Sequence, residues 1–326
     1  MERGLLLPGS PLLEVNNLRV EFTTDRSKIL AVDGVDISLE RGKTLGLVGE
    51  SGCGKSVTAL AVMGLLPRHA SISGEVIFKD RNLLKLRRGE IVKIRGNQIS
   101  MIFQEPMTSL NPVFNIEYQL AEVFKLHRGK SGKEVRSEIV DLLRTVGIPN
   151  PERRMKDYPH QLSGGMRQRV MIAMAMACEP DILIADEPTT ALDVTIQAQI
   201  LELMKELQRI HDTGLLMITH DLGVIAQVAE NVAVMYAGHI MEYSGVRDIF
   251  SDPLHPYTRG LLNTIPRISK KRTRLEEIKG TVPHMSNVPP GCRFHERCSE
   301  RLARCSEETP PLSNVNGRTV RCWLYK

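Results

Sequence analysis

The chain has 326 residues, enough for one large or two medium domains with a sizeable core. Hydrophobic residues make up 42% and charged residues 25%, which excludes a disordered chain, a collagen and a short disulfide scaffold. The net charge of +5, from 43 basic and 38 acidic residues, is too small an excess to mark a nucleic-acid binder, and one Trp, seven Phe and six Tyr are too few for base-stacking platforms.

In chain order, the opening MERGLLLPGSP has three consecutive leucines, too few for a signal peptide, and is set aside from the fold reading. Residues 12–22 and 35–39 alternate as strands. Residues 44–48, TLGLV, form a compact apolar strand that ends in GESGCGKS, and 57–66 read as a helix stopped by Pro67. Strands follow at 75–78 and 99–103. Residues 115–146 carry two amphipathic helices punctuated by Gly129 and Gly132 and ended by Gly147 and Pro149, a helical insertion. Strands at 181–185, 215–219 and 232–236 alternate with a helix at 194–211. This alternation predicts an α/β fold with a largely parallel sheet covered on both faces. The core should end near residue 250, and beyond Pro253 a Pro-, Arg- and Cys-rich extension begins. The longest apolar runs, 59–66 and 170–178, fall well short of the about 20 residues that a membrane span needs. A soluble, cytoplasmic chain is expected, with any membrane role supplied by partner subunits.

Gly49-Glu50-Ser51-Gly52-Cys53-Gly54-Lys55-Ser56 fits G-x-x-x-x-G-K-[ST], with a strand before it and the helix opened by Val57 after it. Glycines let backbone close on phosphate oxygens, and the helix N-terminus adds partial positive charge. Lys55 would reach the β- and γ-phosphates and Ser56 would ligate Mg²⁺. Cys53 reads as a small filler. The apolar run 182–185 ends in Asp186 and Glu187. Beside a P-loop this is a Walker B strand, in which Asp186 would hold the Mg²⁺ shell and Glu187 would face the attacking water.

Five further elements, in order over residues 12–250, resemble those of ATP-binding-cassette (ABC) ATPases: Leu162-Ser163-Gly164-Gly165-Met166 the signature motif, Gln104 the Q-loop, Ala191-Leu192-Asp193 the D-loop, His220 the switch histidine and Phe22 the adenine-stacking aromatic. Met166 stands where the family usually has Gln, and Phe22 where it usually has Tyr. The resemblance implies a P-loop NTPase (RecA-like) core at 12–250 with an antiparallel β region and a helical subdomain at about 105–178. It implies catalytic roles for Glu187, His220 and Gln104, with Gln104 also on Mg²⁺. ATP would be sandwiched between two cassettes, with Ser163, Gly164 and Gly165 reaching it from the second chain, a copy or a paralogue.

Residues 254–262, LHPYTRGLL, the stretch 291–298, GCRFHERC, and 104–112, QEPMTSLNP, resemble the ATPases of oligopeptide and dipeptide importers. That implies two membrane permeases as partners, a substrate-binding protein indirectly, and a peripheral place on the cytoplasmic face of the cell membrane. Nickel and glutathione importers share much of the pattern, and soluble ABC ATPases are the rival class. The apolar, proline-interrupted residues 106–114 should line a groove for a permease helix.

Four of six cysteines crowd the C-terminal extension, 251–326, as Cys292-x5-Cys298-x6-Cys305-x16-Cys322. Disulfides would not persist in a reducing compartment, and no pair has the C-x₂₋₄-C spacing usual for zinc. Spacing leaves the metal open. The resemblance to peptide importers implies a four-iron, four-sulfur cluster, zinc being the alternative. Arg293, Arg297, Arg301, Arg304 and Arg321 are placed to offset its charge.

Overall fold

The computed structural model describes residues 11–24, 27–104, 109–190, 192–264 and 278–326. The chain divides into two compact units, residues 1–40, 44–85 and 217–326 in the first, 41–43 and 86–216 in the second.

The first unit opens with strands β1 (Leu13–Thr23), β2 (Lys28–Leu39), β3 (Thr44–Val48), β4 (Ala70–Phe78) and β5 (Arg81–Asn82). Four of them make an antiparallel sheet in the order β2-β1-β4-β5. In β1 the buried Leu13, Val15, Leu18 and Val20 alternate except around Asn17, where positive φ and a register shift mark a bulge. Strand β2 starts seven residues before the expected 35, because its first half pairs with β1, Lys28 opposite Thr23 and Ile29 opposite Phe22, and buries Ala31 and Val32. The helix after β3, Lys55–Val62, stops short of the expected 66. Gly64, at φ 61°, unwinds the chain there, and Leu65 N–H closes on Leu60 O.

In the second unit, β6 (Ile99–Ile102) pairs in parallel with β7 (Ile182–Asp186), Ile102 opposite Ala185. The helical insertion takes the expected form. Asn115 caps the helix Ile116–Arg128 through the Tyr118 amide, and Gly129 in the left-handed region closes it. Helices Lys133–Thr145, Gly164–Met176 and Val194–His211 follow. Strand β8 (Gly214–Thr219) begins in this unit and ends in the first.

The first unit then resumes with β9 (Asn231–Tyr236), parallel to β3, and β10 (His239–Gly245), antiparallel to β9. The sequence pattern predicts neither β10 nor the closing hairpin, β11 (Ser313–Val315) and β12 (Arg318–Val320). β12 pairs with β10, so Cys292, Cys298 and Cys305 lie between two strands of one sheet, in the order β11-β12-β10-β9-β3, and Cys322 lies just after β12. The fully buried Glu242 of β10 accepts from the amides of Leu254 and His255, fixing where the helix Pro256–Asn263 begins.

Candidate active site

β3 delivers the phosphate loop. Gly54, at φ 110°, turns the chain into the helix, and a Cβ there would strike the carbonyl of Ala31 and the Met235 side chain. A Cβ on Gly49 would lie 2.1 Å from the Met235 carbonyl, so β9 is packed against the loop too closely for any side chain. Gly52 needs glycine only for its φ of 79°, since nothing lies within 4 Å of its Cβ position. Lys55 is buried; its Nζ donates to Gly49 O at 2.7 Å and Glu50 O at 3.0 Å, which arches the loop around the ammonium group. Ser56 and Val57 sit half-buried in the first helical turn, whose N–H groups have no helical acceptors. Cys53 is fully buried and burial pushes its thiol up, as expected of a filler; Ser51 is exposed.

Also in the first unit, Phe22 is half-buried on β1, its ring 5.9 Å from that of His69 and tilted by 52°. His220 is exposed just after β8, and Asp221 caps the next helix through the amides of Gly223 and Val224.

In the second unit, the parallel register of β6 and β7 carries Gln104 and the pair Asp186–Glu187 to the same sheet edge. Asp186 is buried at the end of β7. Glu187 takes a φ of 48°, a conformation that non-glycine residues avoid and that functional sites retain. Its Oε2 accepts from Gln104 Nε2 at 3.3 Å and from Thr190 Oγ1 at 2.8 Å. Thr190 has one sequence signal, its place three residues after the carboxylate.

The signature residues share that unit. Ser163 Oγ accepts from Met166 N at 3.3 Å, so it caps the helix Gly164–Met176, and the side chain at 166 plays no part in the cap. A Cβ on Gly165 would meet Ile196 at 2.9 Å, while one on Gly164 would touch only Leu192 at 3.8 Å. Asp193 caps the helix Val194–His211 through Ile196 N. Ala191 of the D-loop lies outside the described residues, as do 105–108. Of the apolar segment that follows Gln104, the buried Gln119 holds the backbone, accepting from Asn111 N and donating to the carbonyls of Asn111 and Phe114. Leu110 is buried, whereas Val113 and Phe114 face solvent with Tyr118 stacked on Phe114 at 4.4 Å.

The clustered cysteines all fall in the first unit. Cys292, Cys305 and Cys322 are buried and Cys298 half-buried; Cys292 N–H donates to Cys305 O at 2.8 Å. Burial pushes the Cys292 thiol up to about 12, and the nearby thiols of Cys305, Cys322 and Cys298 add to the rise. Among the described residues no three His, Cys, Asp or Glu side chains are grouped so as to hold a metal ion. Three of the five arginines are engaged away from the thiols. Arg293 binds Asp33 at 2.6 Å and the Ala237 carbonyl, Arg297 binds Glu50, and Arg304 lies 4.1 Å over the Trp323 ring. Long-range acceptors claim those side chains; Arg321 keeps an electrostatic interaction with Cys292.

Residues 32–190 match the ABC transporter family, and residues 241–305 match the C-terminal region of oligopeptide/dipeptide transporters. The oligopeptide transport ATP-binding protein AppD of Bacillus subtilis is 52% identical over 320 residues, 97% of this chain and 98% of that protein. The oligopeptide transport ATP-binding protein OppD of Salmonella typhimurium is 50% identical over 316 residues, 97% and 94%. Among solved structures, the ATP-binding cassette MJ0796, a dimer in a post-hydrolysis state bound to ADP and Pi, superposes with a TM-score of 0.64 at 28% identity, covering 72% of this chain and 99% of that one.

Proposed function

This chain belongs to the ABC transporter ATP-binding proteins of the oligopeptide/dipeptide group, and on that premise we propose that it is the ATP-hydrolysing subunit of an importer for small peptides. The observation that carries the hydrolytic part is the Glu187 carboxylate, held by Gln104 and Thr190 on a residue whose backbone is left-handed. A carboxylate fixed in this way can orient water and take its proton. Lys55 and the amides of the phosphate loop bind the β- and γ-phosphates, and His220 supports the γ-phosphate. Ser56, Asp186 and Gln104 offer the hard oxygen donors that suit Mg²⁺ and would hold it, and the ion would supply positive charge to offset that of the phosphates. Phe22 stacks on the base. Ser163, Gly164 and Gly165 act on the nucleotide of a second ATPase subunit, since a γ-phosphate needs donors on more sides than one loop can supply.

No helix among the described residues is long and apolar enough to cross a membrane. As an importer subunit the chain would sit peripherally on the cytoplasmic face, bound to permease partners. The patch of Val113, Phe114 and Tyr118, braced from beneath by Gln119, is the surface offered to a permease helix. A substrate-binding protein would deliver the peptide to those permeases. Pull-down from membranes followed by mass spectrometry tests this reading: two permeases and a second ATPase are expected, and recovery of ribosomes or DNA instead would overturn it.

The C-terminal cysteines form the second part of the proposal, a four-iron, four-sulfur cluster held by Cys292, Cys298, Cys305 and Cys322. Four thiols that act electrostatically on one another supply the right donors. Their arrangement is not that of a closed metal site, so they must shift to hold one. The cluster would staple the extension and takes no part in ATP chemistry. Zinc is the alternative for the same thiols.

A further inference from the structure

Glu50, the second residue of the phosphate loop, is held at three of its groups. Its carbonyl accepts from Lys55; its amide donates to the Tyr257 hydroxyl at 3.0 Å; its carboxylate takes both terminal nitrogens of Arg297, at 2.7 and 3.0 Å. Two of these three anchors come from the chain beyond residue 250, more than 200 positions away. Arg297 itself has little freedom. Its side chain is 6% exposed, Nε donates to Lys279 O at 3.0 Å, and the guanidinium lies over the rings of Tyr236 and Phe294 at 5.6 and 5.9 Å. Those rings pack with Tyr257 at centroid distances of 4.7 to 5.2 Å, and both tyrosines are fully buried. Arg297 adjoins Cys298, and Phe294 is two residues from Cys292. The cysteine segment is therefore packed into the floor of the phosphate loop.

A carboxylate is out of place in a loop that receives a polyphosphate. Glu50 is the one acid in residues 49–56, and left unpaired it would repel the nucleotide. We propose that Arg297 is a positioning residue for ATP, which acts through Glu50 by neutralising the loop's carboxylate and fixing its backbone, so that the C-terminal cysteine segment sets nucleotide affinity. This rests on the reading of residues 49–56 as the ATP site.

The test is titration of the full-length chain with Mg-ATP by calorimetry, with steady-state hydrolysis alongside. Arg297→Gln leaves the pair with a net negative charge and should weaken ATP by about tenfold, raising KM with little change in kcat. Glu50→Gln leaves a net positive charge, keeps an acceptor for Arg297, and should tighten ATP by about threefold. The double variant is neutral again and should return close to wild type. Affinity ordered by the net charge of the pair is something a merely structural contact would not produce. Arg297→Gln with wild-type affinity, or a double variant as weak as Arg297→Gln, would overturn the inference. Should Arg297→Gln fail to fold, Glu50→Gln decides alone, and unchanged or weaker binding overturns it. A wild-type chain that binds no ATP overturns the ATP-site reading, and this inference with it.

Discussion

Gln104 donates to the Glu187 carboxylate at 3.3 Å, a contact that spans 83 positions and depends on the parallel pairing of β6 with β7. A one-residue slip of either strand would turn its residue to the opposite face and part the two. The same Oε2 accepts the shorter bond from Thr190, at 2.8 Å. That bond orients the carboxylate and does not touch nucleotide, so Thr190→Val should lower kcat by about tenfold with KM for ATP little changed. Steady-state ATPase kinetics check this, and a raised KM at constant kcat would contradict it.

Arg293 joins the cysteine segment to β2 through Asp33, which also accepts from His239 at 3.0 Å. The hydrogen bond from His239 holds the Asp33 carboxyl down at about 2 against burial, and the charges of His239, Arg293 and Arg19 help. Removing Arg293 takes away the closest charge on Asp33 and leaves it to His239 and the more exposed Arg19. Arg293→Met should cost about 3 kcal/mol in urea unfolding. An unchanged midpoint would show that the pair does not hold the segment in place.

Two buried histidines set the acid limit of stability. Burial lowers His255 to about 3, the Arg259 charge adding to it, and burial lowers His239 to about 4 despite its bond to Asp33. Both lie below the ordinary 6.5, so the unfolded chain binds more protons between those values. Stability should be fully present above pH 6.5 and decline as pH falls towards 4 and then 3. His255 Nδ1 accepts from the Tyr257 amide, a capping role that asparagine can also fill. His255→Asn should therefore flatten the decline, measured as Tm against pH. A slope identical to wild type would assign the loss to other groups.

Much of the structure around residues 49–56 and 182–187 was legible in the sequence because it is local. A strand, a glycine loop and a helix lie within about twenty residues, and the run 182–187 ends in its two acids without help from the rest of the chain. Helix 194–211 was legible to the residue, since Asp193 caps it and its apolar stripe runs its full length. The residues that buttress the loop were not. Tyr257 and Arg297 meet Glu50 across 207 and 247 positions, and nothing around residue 50 announces them. The arginines near the cysteines illustrate the same limit, because their proximity in sequence to Cys292 and Cys298 suggested a charge role that Asp33 and Glu50 in fact claim. Strands β11 and β12, three residues each, are strands only because β10 offers an edge.

Protein purified without oxygen should be brown and carry about four irons per chain, and Cys298→Ser should abolish the colour. Colourless protein with one zinc would contradict the iron–sulfur assignment while leaving the cysteines as a staple. The chain should hydrolyse ATP in either case, since the cluster supplies no step of that reaction.

The central claim is that Glu187 is the carboxylate that activates water for ATP hydrolysis. Its most direct test is the Glu187→Gln chain, assayed for ATP turnover and for size by light scattering in Mg-ATP. The account predicts loss of turnover by a factor of about a thousand, with ATP retained and the protein shifted to a dimer. Hydrolysis by Glu187→Gln at the wild-type rate would contradict it.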